Sequence, residues 1–298
     1  MATVSGMKRG RYAMKSINLP YLLTGIIRRH LPPPILFGIM KLRGDGNSSE
    51  QSPDQNAVDL EETLTQTGIA IEGQHILEVG SGRYARLALR LLAKGARRVT
   101  LVDLYAVPLN EPNHHAILRQ DCAELGLDVE QSVEKISIFR ADFLQLPIPE
   151  PEDRPDLVMS VAVLEHVLNP KAILETSYQW LNPEGKTFHI VDLRDHNMQF
   201  RYPFEMLTYS DAFWQEWLDQ PDGFHLNRWR APDYIGALTQ SGFIKTACKP
   251  TMQDHDGLSA VYHRLADRFR CYDQEQLAIQ GVMLVGSKPV TLIHCEEE

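Results

Sequence analysis

The sequence predicts a doubly wound α/β fold around a mostly parallel sheet. Three observations carry that prediction. Short apolar runs alternate with segments of helical periodicity from residue 76 to residue 193. Those runs are near-continuous, as strands covered on both faces require. The first of them ends in Gly80-Ser81-Gly82, and glycine at such a turn lets backbone N–H groups approach a ligand with no Cβ in the way.

Taken in order, Ile76, Leu77 and Val79 make the first strand. Residues 83–94 give a helix, with Leu87, Leu91 and Leu92 at helical spacing and Gly95 as its stop. Val99, Leu101 and Val102 make the second strand, which ends at Asp103. A strand, glycine turn, helix and strand closed by a carboxylate is the unit that holds an adenosine-containing cofactor, the acid gripping ribose hydroxyls. A helix over about 111–125 stops at Gly126, and a third strand over 135–140 runs into Ala141-Asp142-Phe143. The fourth strand spans 157–163. Asn169-Pro170 opens a helix to about Leu181, an N-cap amide followed by proline at the first position. The fifth strand spans 186–193.

The rhythm then changes. Residues 194–230 are long, irregular and aromatic, with Phe200, Tyr202, Phe204, Tyr209, Phe213, Trp214, Trp217, Phe224 and Trp229, and read as an inserted cap. A helix over 232–241 and a strand over 243–249 follow, then a helical insertion over about 251–280 and a last strand over 282–287. Residues 44–55, rich in Gly, Ser, Asn, Asp and Pro, form a linker. Residues 1–55 are thus an N-terminal helical segment and linker, a candidate lid, and residues 56–298 the main domain. Residues 57–67 lead into it as a helix, and Glu296-Glu297-Glu298 form an acidic tail.

Composition narrows the partners. The 298 residues carry a net charge of −9, which repels phosphate backbones, so nucleic acid is not expected. Lys8, Arg9, Arg11 and Lys15 read as a solvated basic tail. Residues 17–40 are broken by Arg28, Arg29, His30 and Pro32-Pro33-Pro34, so they do not span a membrane. They read as two packing segments or as an amphipathic membrane-surface contact. Four widely spaced cysteines without a C-x-x-C pair point to a reducing cytoplasm. No metal is expected, since His114-His115 with Cys122 fits no standard zinc spacing.

Four ordered segments make the chain resemble a class I S-adenosylmethionine-dependent methyltransferase of the small-molecule type, similar to the type 11 group, from about residue 56 to 287. They are Leu77-Glu78-Val79-Gly80-Ser81-Gly82, Asp103, Ala141-Asp142-Phe143 and the fourth-strand stretch 156–167, DLVMSVAVLEHV. The resemblance implies a Rossmann-like, mostly parallel seven-stranded sheet whose last strand is antiparallel. It implies S-adenosylmethionine as cofactor, with S-adenosylhomocysteine as product. By the same resemblance Glu78, Gly80, Ser81 and Gly82 meet the cofactor's amino-acid part, and Asp103 with Leu104 its ribose. Asp142 and Phe143 then meet adenine, and Ser160 and Val161 pass beside the cofactor. Tyr84 stands where many members carry a third glycine, which makes it a further contact candidate or a packing residue at the helix start.

The residues themselves leave three readings open. A carboxylate at Glu78 is poorly placed beside a pyrophosphate and suits a cofactor carrying an amino group and a sulfonium, yet Ala85 leaves the spacing of a nicotinamide-dependent oxidoreductase open. A non-catalytic cofactor-binding scaffold is the third. If methyl transfer is the activity, it needs in-line positioning and, for a protonated acceptor, a base. His166 after the fourth strand is the leading base candidate, with Asp192 or Asp195 as its orienting partner and His196 as second candidate. Arg194, Tyr209, Trp214 and Arg228 are substrate candidates in the cap. The expected acceptor is a small molecule, methylated on oxygen first, then carbon, then nitrogen.

Overall fold

A computed structural model describes residues 18–31, 35, 63–64, 67–196, 203–219 and 225–290. The basic run at Lys8–Lys15, the linker 44–55, most of the helix expected over 57–67, Phe200, Tyr202, Phe224 and the acidic tail lie outside the described residues.

Seven strands form one sheet: β1 His75–Val79, β2 Arg98–Val102, β3 Ile136–Phe139, β4 Leu157–Val161, β5 Lys186–Asp192, β6 Ile244–Gln253 and β7 Ile279–Ser287. Their order is β3-β2-β1-β4-β5-β7-β6. The first five pair in parallel, and β7 runs antiparallel to both β5 and β6. The fold is therefore the Rossmann-like sheet with an antiparallel last strand that the sequence predicts.

Strand alternation divides the core. Ile76, Val99, Leu101, Leu157, Met159 and Phe188 pack on one face with helix α2 (Arg86–Ala93) and helix α3 (Pro112–Leu125). Leu77, Val79, Val102, Val158, Val191 and Val282 pack on the other. That face is covered by α5 (Pro170–Trp180) and α6 (Ala231–Gln240), with α4 (Val129–Glu134) preceding β3. Each of these side chains contributes about 1.5–3 kcal/mol on leaving water. A third cluster gathers Tyr21 of α1 (Leu19–His30), Phe204, Met206, Trp214, Leu218, Leu258 and Phe269 beside the sheet. It joins the N-terminal helix, the cap and the segment between β6 and β7.

Several boundaries shift for physical reasons. α2 starts at Arg86, because residues 81–85 form the turn after Gly80. β4 stops at Val161, where Ala162 turns with φ +52°. β6 runs on to Gln253 through register shifts, so the helical stretch is α7 (His255–Val261), short 3₁₀ turns and α8 (Gln274–Ala278). The cap holds a short helix, Asp211–Phe213, that passes into a π turn, Trp214–Leu218. No helix among the described residues is long and apolar enough to cross a membrane.

Arg230 ties these parts together. It is fully buried and donates to the carbonyls of Leu193, Leu277 and Ile279, at the ends of β5, α8 and β7. Replacing it by Met leaves three buried carbonyls without donors. Urea unfolding should show Arg230→Met destabilised by about 2–4 kcal/mol, and a loss below about 0.5 kcal/mol would mean the guanidinium is dispensable.

Candidate functional site

The carboxyl ends of β1, β2, β4 and β5 meet at one edge of the sheet, where ligands bind in open α/β folds. Gly80 (φ +74°) and Gly82 (φ +72°) turn the chain after β1 in the left-handed region. A Cβ on Gly80 would collide with the Val163 side chain, whereas one on Gly82 would meet nothing within 4 Å. The turn is thus pressed against the β4 loop on one side and open on the other. Asp103 borders that opening: its Oδ2 accepts from Gly82 N–H at 2.9 Å and its Oδ1 from Tyr105 N–H at 2.6 Å. Leu104 is 57% exposed beside it, an apolar surface at the mouth of the turn.

The other candidates divide. Glu78 is buried within β1. Ser81 is half-buried in the turn. Asp142 is exposed and caps Leu144 N–H at 3.0 Å, while Phe143 is buried against Trp180. Tyr84 packs edge-on against His114, ring centroids 5.3 Å apart. His114 in turn accepts from Ala85 N–H at 3.0 Å, so the ring props up the helix start.

Ser160 departs from expectation. Strand alternation points it into the core, where it is fully buried 2.7 Å from His189 Nδ1. Val161, the next residue, is half-buried on the opposite side of the strand. Thr187 Oγ1 donates to the Val158 carbonyl, so it accepts from His189 Nε2 and the Ser160 hydroxyl donates to Nδ1. Burial holds this neutral imidazole down, at about 3.

Past β4 the chain turns into a 3₁₀ segment, Leu164–His166. His166 Nδ1 donates to the His225 carbonyl at 2.8 Å, which leaves Nε2 with its lone pair. Burial lowers the His166 pKa against the opposing pull of that hydrogen bond and of Asp192. The orienting partner is therefore a backbone carbonyl rather than Asp192 or Asp195. Asp195 is fully buried and accepts from Met206 N–H at 2.8 Å. Asp192 is gripped by Arg194 at 2.6–3.1 Å, and those bonds outweigh burial to keep its carboxyl low.

The His196 ring lies 4.8 Å from that of His166, and burial, then repulsion from His166, lowers its pKa. Glu165 is 3% exposed; its Oε1 accepts from Asp192 N–H at 3.2 Å and its Oε2 has no hydrogen-bond partner. Burial pushes it up to about 8. One ligand atom each from Glu165, His166 and His196 lie within 4.8 Å of one another, the one grouping of metal-ligating side chains found among the described residues.

Two residues that local sequence did not single out hold this loop. Asn227 donates from Nδ2 to the carbonyls of Leu164 and Val167 at 2.6 and 3.1 Å, and accepts from Tyr234 OH at 3.1 Å. His225 Nδ1 is fixed by Asp219 at 2.8 Å. Both contacts on the 164–167 turn span about 60 residues, so only the folded chain reveals them.

The cap candidates are committed to packing. Arg228 is 4% exposed and donates to the carbonyls of Met206 and Tyr209 and to Asp211, with its guanidinium 4.7 Å over Trp214. Trp214 is 4% exposed. Tyr209 stacks between Tyr21 and Phe213 and donates to Glu205 at 3.3 Å. All three belong to the third hydrophobic cluster and its rim, so they are corrected from substrate contacts to structural residues; Arg194 remains at the site edge. A cavity of about 740 Å³ beside β3 is lined by Ala106, Leu109, Val133, Ile138 and Arg140 among others, and none of the candidate residues borders it.

A methyltransferase-domain family matches residues 54–247, and the chain belongs to that family, which decides against the nicotinamide alternative. It is 28% identical over 126 residues to a ubiquinone biosynthesis O-methyltransferase of Pasteurella multocida, covering 42% of this chain and 49% of that protein. The Coxiella burnetii protein of the same name is 28% identical over 120 residues, covering 40% of this chain and 44% of its own. The chain thus spans about half the length of the curated relatives it matches. Among solved structures, an S-adenosylmethionine-dependent methyltransferase from Mesorhizobium loti is 17% identical at a TM-score of 0.45, covering 76% of this chain and 96% of that one. S-adenosylmethionine is the cofactor of this class, and the open glycine turn bordered by Asp103 fits it: a Cβ-free surface faces a carboxylate whose position two backbone donors fix.

The neutral Glu165 gives a sign that can be measured. Its folded pKa lies above its unfolded value of 4.5, so between pH 4.5 and about 8 the folded state holds the extra proton and stability falls as pH rises. Glu165→Gln, neutral throughout, should gain about 1–3 kcal/mol over the natural chain on going from pH 5 to pH 8. A pH-independent difference between the two proteins would contradict a protonated Glu165.

Proposed function

We propose that this protein methylates a small-molecule acceptor on oxygen, with His166 as general base; carbon and then nitrogen acceptors rank behind. The observation that carries the reading is the His166 tautomer, donating to the His225 carbonyl and leaving Nε2 free at the β4 end. When bound, S-adenosylmethionine supplies an electrophilic methyl carbon on a sulfonium. Asp103 receives the ribose hydroxyls and Leu104 borders them, Gly80, Ser81 and Gly82 receive the amino-acid part with Glu78 beneath, and Asp142 with Phe143 borders the adenine. The β4 and β5 ends would hold an acceptor hydroxyl facing the sulfonium group, which would supply the methyl and leave as a neutral thioether. The hydroxyl proton passes to Nε2 of His166. Asp192 and Arg194 keep a fixed ion pair at the rim, and His196 flanks the base.

The name carried by the curated relatives supports oxygen as first acceptor atom. In this reading residues 56–298 are the catalytic domain and residues 1–55 an N-terminal segment, and nucleic acid is not a substrate. The location is the cytoplasm, in keeping with free thiols at Cys122, Cys248 and Cys271. Apolar hydroxyl acceptors partition into lipid, so the reading includes contact of the N-terminal segment with a membrane surface.

Three results test it. Calorimetry should show S-adenosylhomocysteine binding weakened by about 1–3 kcal/mol in Asp103→Ala; unchanged affinity would remove the ribose from that carboxylate. His166→Ala should slow turnover of a phenolic or similar hydroxyl acceptor by about 10²–10⁴-fold, and a loss under tenfold would leave the imidazole a packing role. Because burial lowers the His166 pKa, the acid limb of kcat/KM should fall below pH 6.5. Tight cofactor binding without transfer to any of a broad panel of acceptors would favour a non-catalytic scaffold.

A further inference from the structure

The turn after β4 and the chain leaving β5 bring Glu165, His166 and His196 together. One ligand atom from each lies within 4.8 Å of the others. Glu165 is 3% exposed; its Oε1 accepts from Asp192 N–H, and its Oε2 is enclosed with no hydrogen-bond partner among the described residues. A buried carboxylate oxygen in that state calls for a positive charge. His166 donates from Nδ1 to the His225 carbonyl at 2.8 Å, so the lone pair is on Nε2. A ring N–H held by a backbone carbonyl is the outer contact that metal-binding histidines characteristically make. The His196 ring stands 4.8 Å from that of His166 and is exposed, which gives the third ligand room to adjust.

We propose that Glu165, His166 and His196 form a site for a zinc-class divalent cation, which takes up the same His166 lone pair that would otherwise accept a proton. Two imidazoles and one carboxylate are donors for Zn²⁺ and its late first-row neighbours, whereas Mg²⁺ and Ca²⁺ favour oxygen sets. Zinc bonds to such atoms at about 2.0–2.2 Å and takes a fourth ligand from solvent. The three donors must therefore draw together by up to roughly 1.5 Å, mostly by torsion of the exposed His196 side chain. The Asp192–Arg194 pair beside them is internally neutral and does not repel the cation. Positions 165, 166 and 196 match no zinc spacing along the chain; the parallel pairing of β4 with β5 brings them together. The site rests on these side chains alone. Its effect on turnover rests on His166 as base, since one lone pair cannot hold a metal and a proton at once. Zinc is thereby an inhibitor of transfer.

The full chain, stripped with a chelator and titrated with ZnCl₂ against a chromogenic competitor, should take up one zinc that a large excess of MgCl₂ does not displace. The ring ¹⁵N resonances of His166 and His196 should move as zinc is added, a readout that needs no acceptor. His196→Ala and Glu165→Gln should each weaken zinc binding by more than about 100-fold, beyond the loss of an outer partner. S-adenosylhomocysteine binding in each variant reports that the fold is kept. With a hydroxyl acceptor, zinc should suppress methyl transfer and a chelator should restore it. No zinc uptake, or uptake unaltered in both variants, would overturn the site, and displacement by Mg²⁺ would overturn the metal class. Zinc uptake of the expected kind in a protein that transfers no methyl group would support the site and count against the base reading. Zinc that binds here and speeds transfer would overturn the inhibition.

Discussion

The close approach of Gly80 to Val163 is the constraint on which the site depends. β1 and β4 are adjacent parallel strands, and their following loops occupy the same space at the sheet edge. They fit because Gly80 has no Cβ, and any side chain there would strike Val163. Its φ of +74° adds a second reason for glycine, since L side chains rarely adopt that region. The contact couples the two halves of the site. The glycine turn after β1 cannot shift without moving the loop that carries Glu165 and His166.

From that contact the loop after β4 is built by long-range hydrogen bonds rather than by local sequence. Ala162 takes φ +52° without being glycine, a strained turn of the kind that persists where surroundings over-determine it. The surroundings are visible: Ala162 N–H donates to the Ile190 carbonyl at 2.9 Å, Asn227 clamps Leu164 and Val167, and His225 receives His166. The cap return at residues 225–230 is therefore part of the site's scaffold, with Arg230 anchoring it to the carbonyls at the ends of β5, α8 and β7.

Much of the fold was legible because its signals are local. Continuous apolar runs marked the strands, and Gly95, Gly126 and Asn169-Pro170 marked helix ends, with Gly126 in the left-handed region and Asn169 capping Ala172 N–H. The positions of Asp103 and the glycines could be read because they follow from where a parallel strand ends. What local sequence could not carry was partnership. Arg228 looks like an anion receptor until Asp211, two carbonyls and Trp214 are found around it. Ser160 looks accessible until strand parity turns it toward His189. Asn227 has no motif at all; its importance lies wholly in which carbonyls come within its reach. The six-residue α4 and the π turn were missed for a different reason, being too short to show a period.

The charge state of the site follows from the same geometry. Arg194 neutralises Asp192 at the rim, burial raises the Glu165 pKa and lowers that of His166, and His196 lies exposed beside them. The cluster is then close to net zero although it contains two carboxyls, two imidazoles and a guanidinium. A low-dielectric pocket tolerates such groups in their neutral forms or in tight pairs, because an unpaired buried charge is costly. For the proposed chemistry this matters directly. A neutral imidazole beside a cationic sulfonium does not repel it and keeps its lone pair, whereas an imidazolium would repel it and could no longer take the acceptor's proton. Lowering the pH therefore removes the base and adds a repelling charge in one step.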